Sequence, residues 1–194
     1  MKHKIAFIGL GTMGQRMLTN MSTHGGFEFS AAWDPDPAAR ELTRSKYSQI
    51  RIGKDAQDVI ADAGADVVYI ASPPAAHGQY ALAAIENGKA VYCEKPLSVD
   101  LEEGRELVQR AEAKGVINTV NFSFAGKAAS ELIADALRKS KIGDVVGVDV
   151  HLHFARWPRE WQASATWLAK REQGGFVREV LSHYLYLSQR LFGR

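Results

Sequence analysis

Glu94-Lys95-Pro96 sets a lysine between a carboxylate and a proline, directly after the short apolar run Ala90–Cys93. If that run is a strand of a parallel sheet, Lys95 lies just past its carboxyl end, in the crevice region where open α/β sheets bind ligands. An amine there can hydrogen-bond a substrate hydroxyl and exchange its proton as hydride moves to or from a nicotinamide. Glu94 is placed to orient Lys95, and Pro96 fixes the chain leaving the strand. The plainer alternative is a solvated lysine in a strand-end turn. A second pair, Glu179 and His183, is spaced four residues apart, so on a helix both share one face. Their pairing would raise the basicity of the imidazole and hold its orientation, as suits a residue that contacts substrate or relays its proton. The alternative is a surface pair worth ~0.2–0.5 kcal/mol of helix stability.

Gly9-Leu10-Gly11-Thr12-Met13-Gly14 is a G-x-G-x-x-G between a strand-like run and a helix-like segment. Gly9 permits a tight turn. Gly11 lets the backbone approach a pyrophosphate, whose charge the N–H groups of Thr12, Met13 and Gly14 meet at the helix N-terminus. Gly14 lets helix and strand pack closely. Asp34 ends the second strand 20 residues beyond Gly14, near the spacing expected of the acidic residue that holds the adenosine ribose hydroxyls. Its charge, with that of Asp36, disfavours a 2′-phosphate, so the expected cofactor is NAD. Arg40 keeps NADP open if its side chain folds back over the site. The plainer reading of Asp34 is a turn residue before Pro35.

These residues need a scaffold, and strand-like and helix-like segments alternate to supply one. Strands are expected at Lys4–Ile8, Phe27–Trp33, Gln49–Ile52, Asp66–Ala71, Ala90–Cys93 and Val116–Val120. Helices are expected at Thr12–His24, Ala38–Lys46, Asp55–Asp62, Ala75–Asn87 and Leu101–Lys114, the last capped by Ser98 or Asp100 and closed by Gly115. That rhythm predicts an α/β fold, a doubly wound parallel sheet with helices on both faces. After about Asn121 the rhythm changes. A helix over Lys127–Ser140 precedes an alternating strand over Asp144–Phe154, a tryptophan-rich stretch (Trp157, Trp161, Trp167) and a final helix near Gly175–Leu191. The long strand has no convincing partner in the sequence, so the second unit reads as an incomplete α+β domain.

Composition narrows the function classes. The 194 residues are 46% hydrophobic and 24% charged with a formal net charge of +2, and the basic residues are scattered. Nothing there calls for nucleic acid or a membrane surface, and no apolar run approaches the ~18 residues of a membrane span. The run from Ile5 to Leu10 is too short to read as a signal peptide and lacks a cleavage pattern. A single cysteine, Cys93, excludes an internal disulfide framework and suits a reducing cytoplasm. His151 and His153 share a strand face, but two ligands do not make a zinc site, so no metal is expected. There is no nucleophile elbow and no Walker A loop.

The fingerprint, Ser72-Pro73-Pro74-Ala75-Ala76-His77, Gly88–Pro96 with its Glu-Lys-Pro, and the glycine-led segment Gly174–His183 together resemble the glucose–fructose oxidoreductase / inositol dehydrogenase / rhizopine-catabolism (Gfo/Idh/MocA) family. The resemblance implies a Rossmann domain over residues 1–121 and the beginning of a substrate and oligomerisation domain over 122–194. It implies a dehydrogenase or reductase acting on the CH–OH groups of a sugar or cyclitol, homo-oligomeric at full length, with Lys95, Glu179 and His183 in catalysis. It also implies that Ser72, Pro73, His77, Glu94 and Lys95 line the cofactor, and that the Lys95–Pro96 peptide is cis. Glu179 stands where the family has aspartate and Leu181 where glycine is common, which puts the role of Glu179 in doubt. Phe122 and Phe124 occupy a segment where relatives often carry arginine. Two other readings stay open: an NAD-binding module without turnover, and transient oxidation ending in elimination or hydrolysis.

Overall fold

The computed structural model describes residues 2–193, which divide after Asn121 into two compact units. The first contains six parallel strands: β1 (His3–Ile8), β2 (Phe27–Trp33), β3 (Arg51–Ile52), β4 (Val67–Ile70), β5 (Ala90–Glu94) and β6 (Asn118–Asn121). Their order across the sheet is β3-β2-β1-β4-β5-β6, so the direction of winding reverses between β1 and β4. The helices are α1 (Thr12–Ser22), α2 (Pro37–Lys46), α3 (Ala56–Ile60), α4 (His77–Glu86) and α5 (Leu101–Lys114).

The sheet is apolar on both faces because both are covered. Ala6, Ile8, Val68, Ile70, Val91 and Cys93 cluster with Val59 of α3, Ala81 of α4 and Leu107 of α5. The alternate residues Ile5, Phe7 and Tyr69 cluster with Leu18 and Met21 of α1. Each large aliphatic side chain buried this way stabilises the unit by roughly 1.5–3 kcal/mol. The helix starts are fixed locally. Asp36, Asp55 and Asp100 each accept a backbone N–H at the N-terminus of α2, α3 and α5, and Gly115 ends α5 in the left-handed conformation at φ +62°.

Several boundaries move. β6 starts two residues later than the apolar pattern suggests, and β3 is two residues long. The segment expected to be helical from Ala75 begins with a 3₁₀ turn, Pro74–Ala76, and becomes α-helical at His77.

The second unit contains α6 (Ala128–Arg138), 3₁₀ turns at Glu160–Gln162 and Thr166–Ala169, and a π-helical turn, Val177–Leu181, that leads into α7 (Ser182–Phe192). The expected strand over Asp144–Phe154 does not form: residues 143–154 have no regular secondary structure, and Val145, Val146, Val148 and Val150 are all exposed. Alternation specifies which face a strand would bury, but a ladder forms only where a neighbouring strand takes the N–H and C=O groups. The tryptophan-rich stretch gathers around Arg159, whose guanidinium lies over the rings of Phe154, Trp157 and Trp161. No helix among the described residues is long and apolar enough to cross a membrane.

Candidate functional site

Gly9 leaves β1 at φ +95°, and its N–H donates to the Trp33 carbonyl at 2.9 Å. A Cβ on Gly9 would lie within 2.7 Å of backbone atoms of Ala71 and Ser72, so this loop is seated directly on the turn after β4. A Cβ on Gly14 would strike the Gly9 carbonyl oxygen, whereas one on Gly11 would meet nothing within 4 Å. The fingerprint thus packs tightly at its first and third glycines and is open at its second. Gly11 is the N-cap of α1, and no acidic side chain lies in the first turn of that helix. The N–H groups of Thr12, Met13 and Gly14 have no intrahelical acceptor, so they form a positive end of the helix.

Asp34 lies at the same end of the sheet. Its Oδ2 accepts the Leu10 N–H at 2.6 Å and its Oδ1 accepts the Asp36 N–H at 2.8 Å. It therefore holds the glycine loop in place, and each oxygen keeps one lone pair for a further donor. Arg40 Nη1 donates to the Asp34 and Pro35 carbonyls at 2.6 and 3.1 Å, which draws its guanidinium to the backbone of the turn. Ser72 Oγ, on the turn that meets Gly9, is buried without a hydrogen-bond partner in the protein. An open Gly11, first-turn amides without intrahelical acceptors, a carboxylate with free lone pairs and an orphaned hydroxyl fit a dinucleotide, whose diphosphate Gly11–Gly14 would hold and whose ribose hydroxyls would donate to Asp34. When bound, NAD supplies the hydride acceptor or donor.

Lys95 follows β5, and its peptide to Pro96 is cis. Glu94 is buried, and its carboxylate is held from two neighbouring strands. Oε1 accepts the Tyr69 hydroxyl from β4 at 2.6 Å and the Asn121 Nδ2 from β6 at 2.7 Å, while the Tyr92 hydroxyl donates to Asn121 Oδ1 at 3.0 Å. Burial, reinforced by the Glu94 charge, pushes the Tyr69 hydroxyl far above the usual tyrosine range, so it stays a neutral donor. Burial and the same charge push the Cys93 thiol up, which removes it as a nucleophile. Sequence reading misses Tyr69 and Asn121. Tyr69 and Tyr92 are in register on adjacent strands, but nothing in the residue pattern reveals that Tyr69 donates to Glu94. His77, the first residue of α4, is 1% exposed, with both ring nitrogens on protein carbonyls.

In the second unit, Glu179 lies in the π-helical turn and His183 in the first turn of α7, so the regular α-helical face expected for the pair is not what carries them. Glu179 is buried. The His183 ring packs between Phe122, edge-on at 5.8 Å, and Phe124, tilted at 4.9 Å, and Tyr186 stacks on Phe122 at 4.3 Å. His151 and His153 lie on the unpaired segment with parallel rings 6.5 Å apart. Among the described residues no group of three or more His, Cys, Asp or Glu is disposed to hold a metal ion.

A parallel sheet with a glycine loop at its switch point and an acidic residue ending the second strand defines a dinucleotide-binding Rossmann domain. Residues 3–122 match the oxidoreductase family, NAD-binding Rossmann fold, and residues 134–194 match the C-terminal alpha/beta domain of the same family. The chain belongs to the Gfo/Idh/MocA oxidoreductase family, and its first unit is an NAD-binding domain. It is 33% identical over 185 residues to a scyllo-inositol 2-dehydrogenase (NAD(+)) of Bacillus subtilis, covering 91% of this chain and 51% of that protein. It is 32% identical over 129 residues to a 1,5-anhydro-D-fructose reductase of Ensifer adhaerens, covering 66% of this chain and 38% of that protein. Among solved structures, the WlbA dehydrogenase of Bordetella pertussis in complex with NADH and UDP-GlcNAcA superposes with a TM-score of 0.89 at 26% identity, over 100% of this chain and 59% of that one. The chain spans about half the length of the first of these curated relatives.

Proposed function

We propose that this chain carries the cofactor-binding and proton-handling part of an NAD-dependent dehydrogenase or reductase that acts on a CH–OH group of a sugar or cyclitol. One juxtaposition carries the reading: the Gly9–Gly14 loop and Lys95 both leave the carboxyl ends of strands in one sheet, with the Ser72 turn on β4 between them. In the oxidative direction Lys95 Nζ receives the hydroxyl proton as hydride leaves the adjacent carbon, and in the reductive direction it returns that proton to the new alkoxide. Glu94, fixed by Tyr69 and Asn121, holds negative charge one residue from the amine. From the second unit we assign His183 to substrate handling, with Glu179 supporting it. The relatives named for scyllo-inositol and 1,5-anhydro-D-fructose support the substrate class. We further assign the protein to a reducing cytoplasm, on its one buried cysteine, and to a homo-oligomer at full length, on the family resemblance.

The test pairs binding with turnover. NADH should quench or shift the tryptophan fluorescence on titration and bind more tightly than NADPH, because Asp34 repels a 2′-phosphate. Lys95→Met should then abolish scyllo-inositol-dependent NAD reduction with little change in NADH affinity, and equal loss of both would remove Lys95 from the chemistry. The unpaired segment over residues 143–154 favours a second reading, an NAD-binding module without turnover. Tight NADH binding with no activity across a panel of inositols and sugars selects it.

A further inference from the structure

The His77 ring is 1% exposed, and both of its nitrogens are engaged within the protein. Nδ1 lies 2.7 Å from the Pro96 carbonyl oxygen and Nε2 lies 2.8 Å from the Ser72 carbonyl oxygen. Those carbonyls belong to two different turns, one after β5 and one after β4. The Ser72 turn is in turn pressed against Gly9, where no Cβ fits. The ring therefore completes a contact chain: glycine loop, Ser72 turn, His77, Pro96 turn, Lys95. A neutral imidazole has one N–H and donates to one of the two carbonyls at a time, whereas the cation donates to both. Burial holds the ring below the usual histidine range and Lys95 pushes the same way, while the two carbonyls and Glu94 pull it upward.

We propose that His77 is a positioning residue: it ties the turn that carries Lys95 to the turn seated on the cofactor loop, and so sets where Lys95 Nζ stands relative to that loop. A ring in this place outperforms an aliphatic side chain because it is rigid and has polar atoms at both ends. The two strand-end turns are bridged by a single side chain on the first residue of α4. The inference rests on Lys95 being the proton-handling residue proposed above.

The test uses the full chain and a readout that needs no turnover. Lys95 Nζ reactivity is measured by competitive acetylation with acetic anhydride and peptide mass spectrometry, with Lys54 and Lys89 as internal references, alongside NADH titration and thermal unfolding. Asn places an amide donor near the Nδ1 position, toward Pro96; Gln places one near Nε2, toward Ser72; Phe keeps the ring and offers neither. In His77→Phe the freed turn should raise Lys95 reactivity roughly three- to tenfold, the worth of one hydrogen bond. His77→Asn should restore the wild-type value and His77→Gln should not. If Asn and Gln behave alike, or all three variants leave Lys95 reactivity unchanged while only the melting temperature falls, His77 is structural and the inference is wrong. If His77→Phe does not fold, the Asn–Gln difference decides alone. Failure of the wild-type chain to bind NADH sinks the functional reading instead, and leaves the His77 result standing as a statement about the two turns.

Discussion

β4 and residues 144–154 have similar raw material and opposite fates. Val67–Ile70 lies between β1 and β5, pairs with both, and has Val68, Tyr69 and Ile70 fully buried. Residues 144–154 have four valines at alternating or adjacent positions, and every one is exposed. Side-chain chemistry does not separate the two segments. What separates them is whether other strands and helices take up their backbone groups and cover their faces. A β-rich pattern is therefore a conditional statement, and the first unit meets the condition with its own elements.

The contrast can be broken most easily at the glycine loop. Gly9→Val combines a positive φ with collision against the Ala71–Ser72 backbone, and should cost about 4 kcal/mol in denaturant unfolding and eliminate NADH binding. Gly11→Ala, at the open glycine, should leave stability within about 0.5 kcal/mol yet weaken NADH measurably. Loss of stability at Gly11 would mean that the loop is packed there rather than open. Next in size, Ile70→Ala in β4 should cost about 3 kcal/mol, whereas Val146→Ala should change stability by less than about 0.5 kcal/mol. A Val146 cost that approaches the Ile70 value would show that residues 144–154 are covered in solution.

The buried polar network gives a smaller and pH-dependent effect. Tyr69→Phe removes one of two donors to the Glu94 carboxylate and should cost about 2 kcal/mol at neutral pH. The folded state raises the Tyr69 pKa above its unfolded value near 10. That contribution is present below about pH 10 and declines above it, once the unfolded chain can ionise and the folded one resists. The wild-type unfolding free energy should fall on the alkaline side, and Tyr69→Phe should flatten that limb. An identical alkaline slope in the variant would assign the effect to another group. The smallest perturbation is hydrogen exchange in the unmodified protein. Amides of β4 should exchange at least about a thousandfold more slowly than those of residues 144–154.

Much of the first unit is legible from residue order because its signals are local and agree with one another. Apolar runs, the candidate cap at Asp100, the stop at Gly115 and the G-x-G-x-x-G loop each depend on a few adjacent residues, and the order of elements follows from them. Lys95, the glycines and Asp34 are found the same way, since each occupies a fixed offset from a strand end. The missing pieces are long-range. Tyr69 and Asn121 reach Glu94 across 25 and 27 residues, and His77 joins turns separated by a helix and a strand. The π-helical turn that carries Glu179 also escapes a period-based reading, because one inserted residue alters the helix register without altering composition.

Chain order alone settled the parallel α/β plan, the coenzyme loop and the lysine after the fifth strand, because strand burial and helix caps are decided by neighbours in sequence. Only the folded arrangement decided how the Glu94 carboxylate is held, what the His77 ring connects, and that residues 144–154 remain unpaired. Hydrogen-bond partners and strand neighbours are chosen by proximity in space, and a one-dimensional pattern has no measure of that distance.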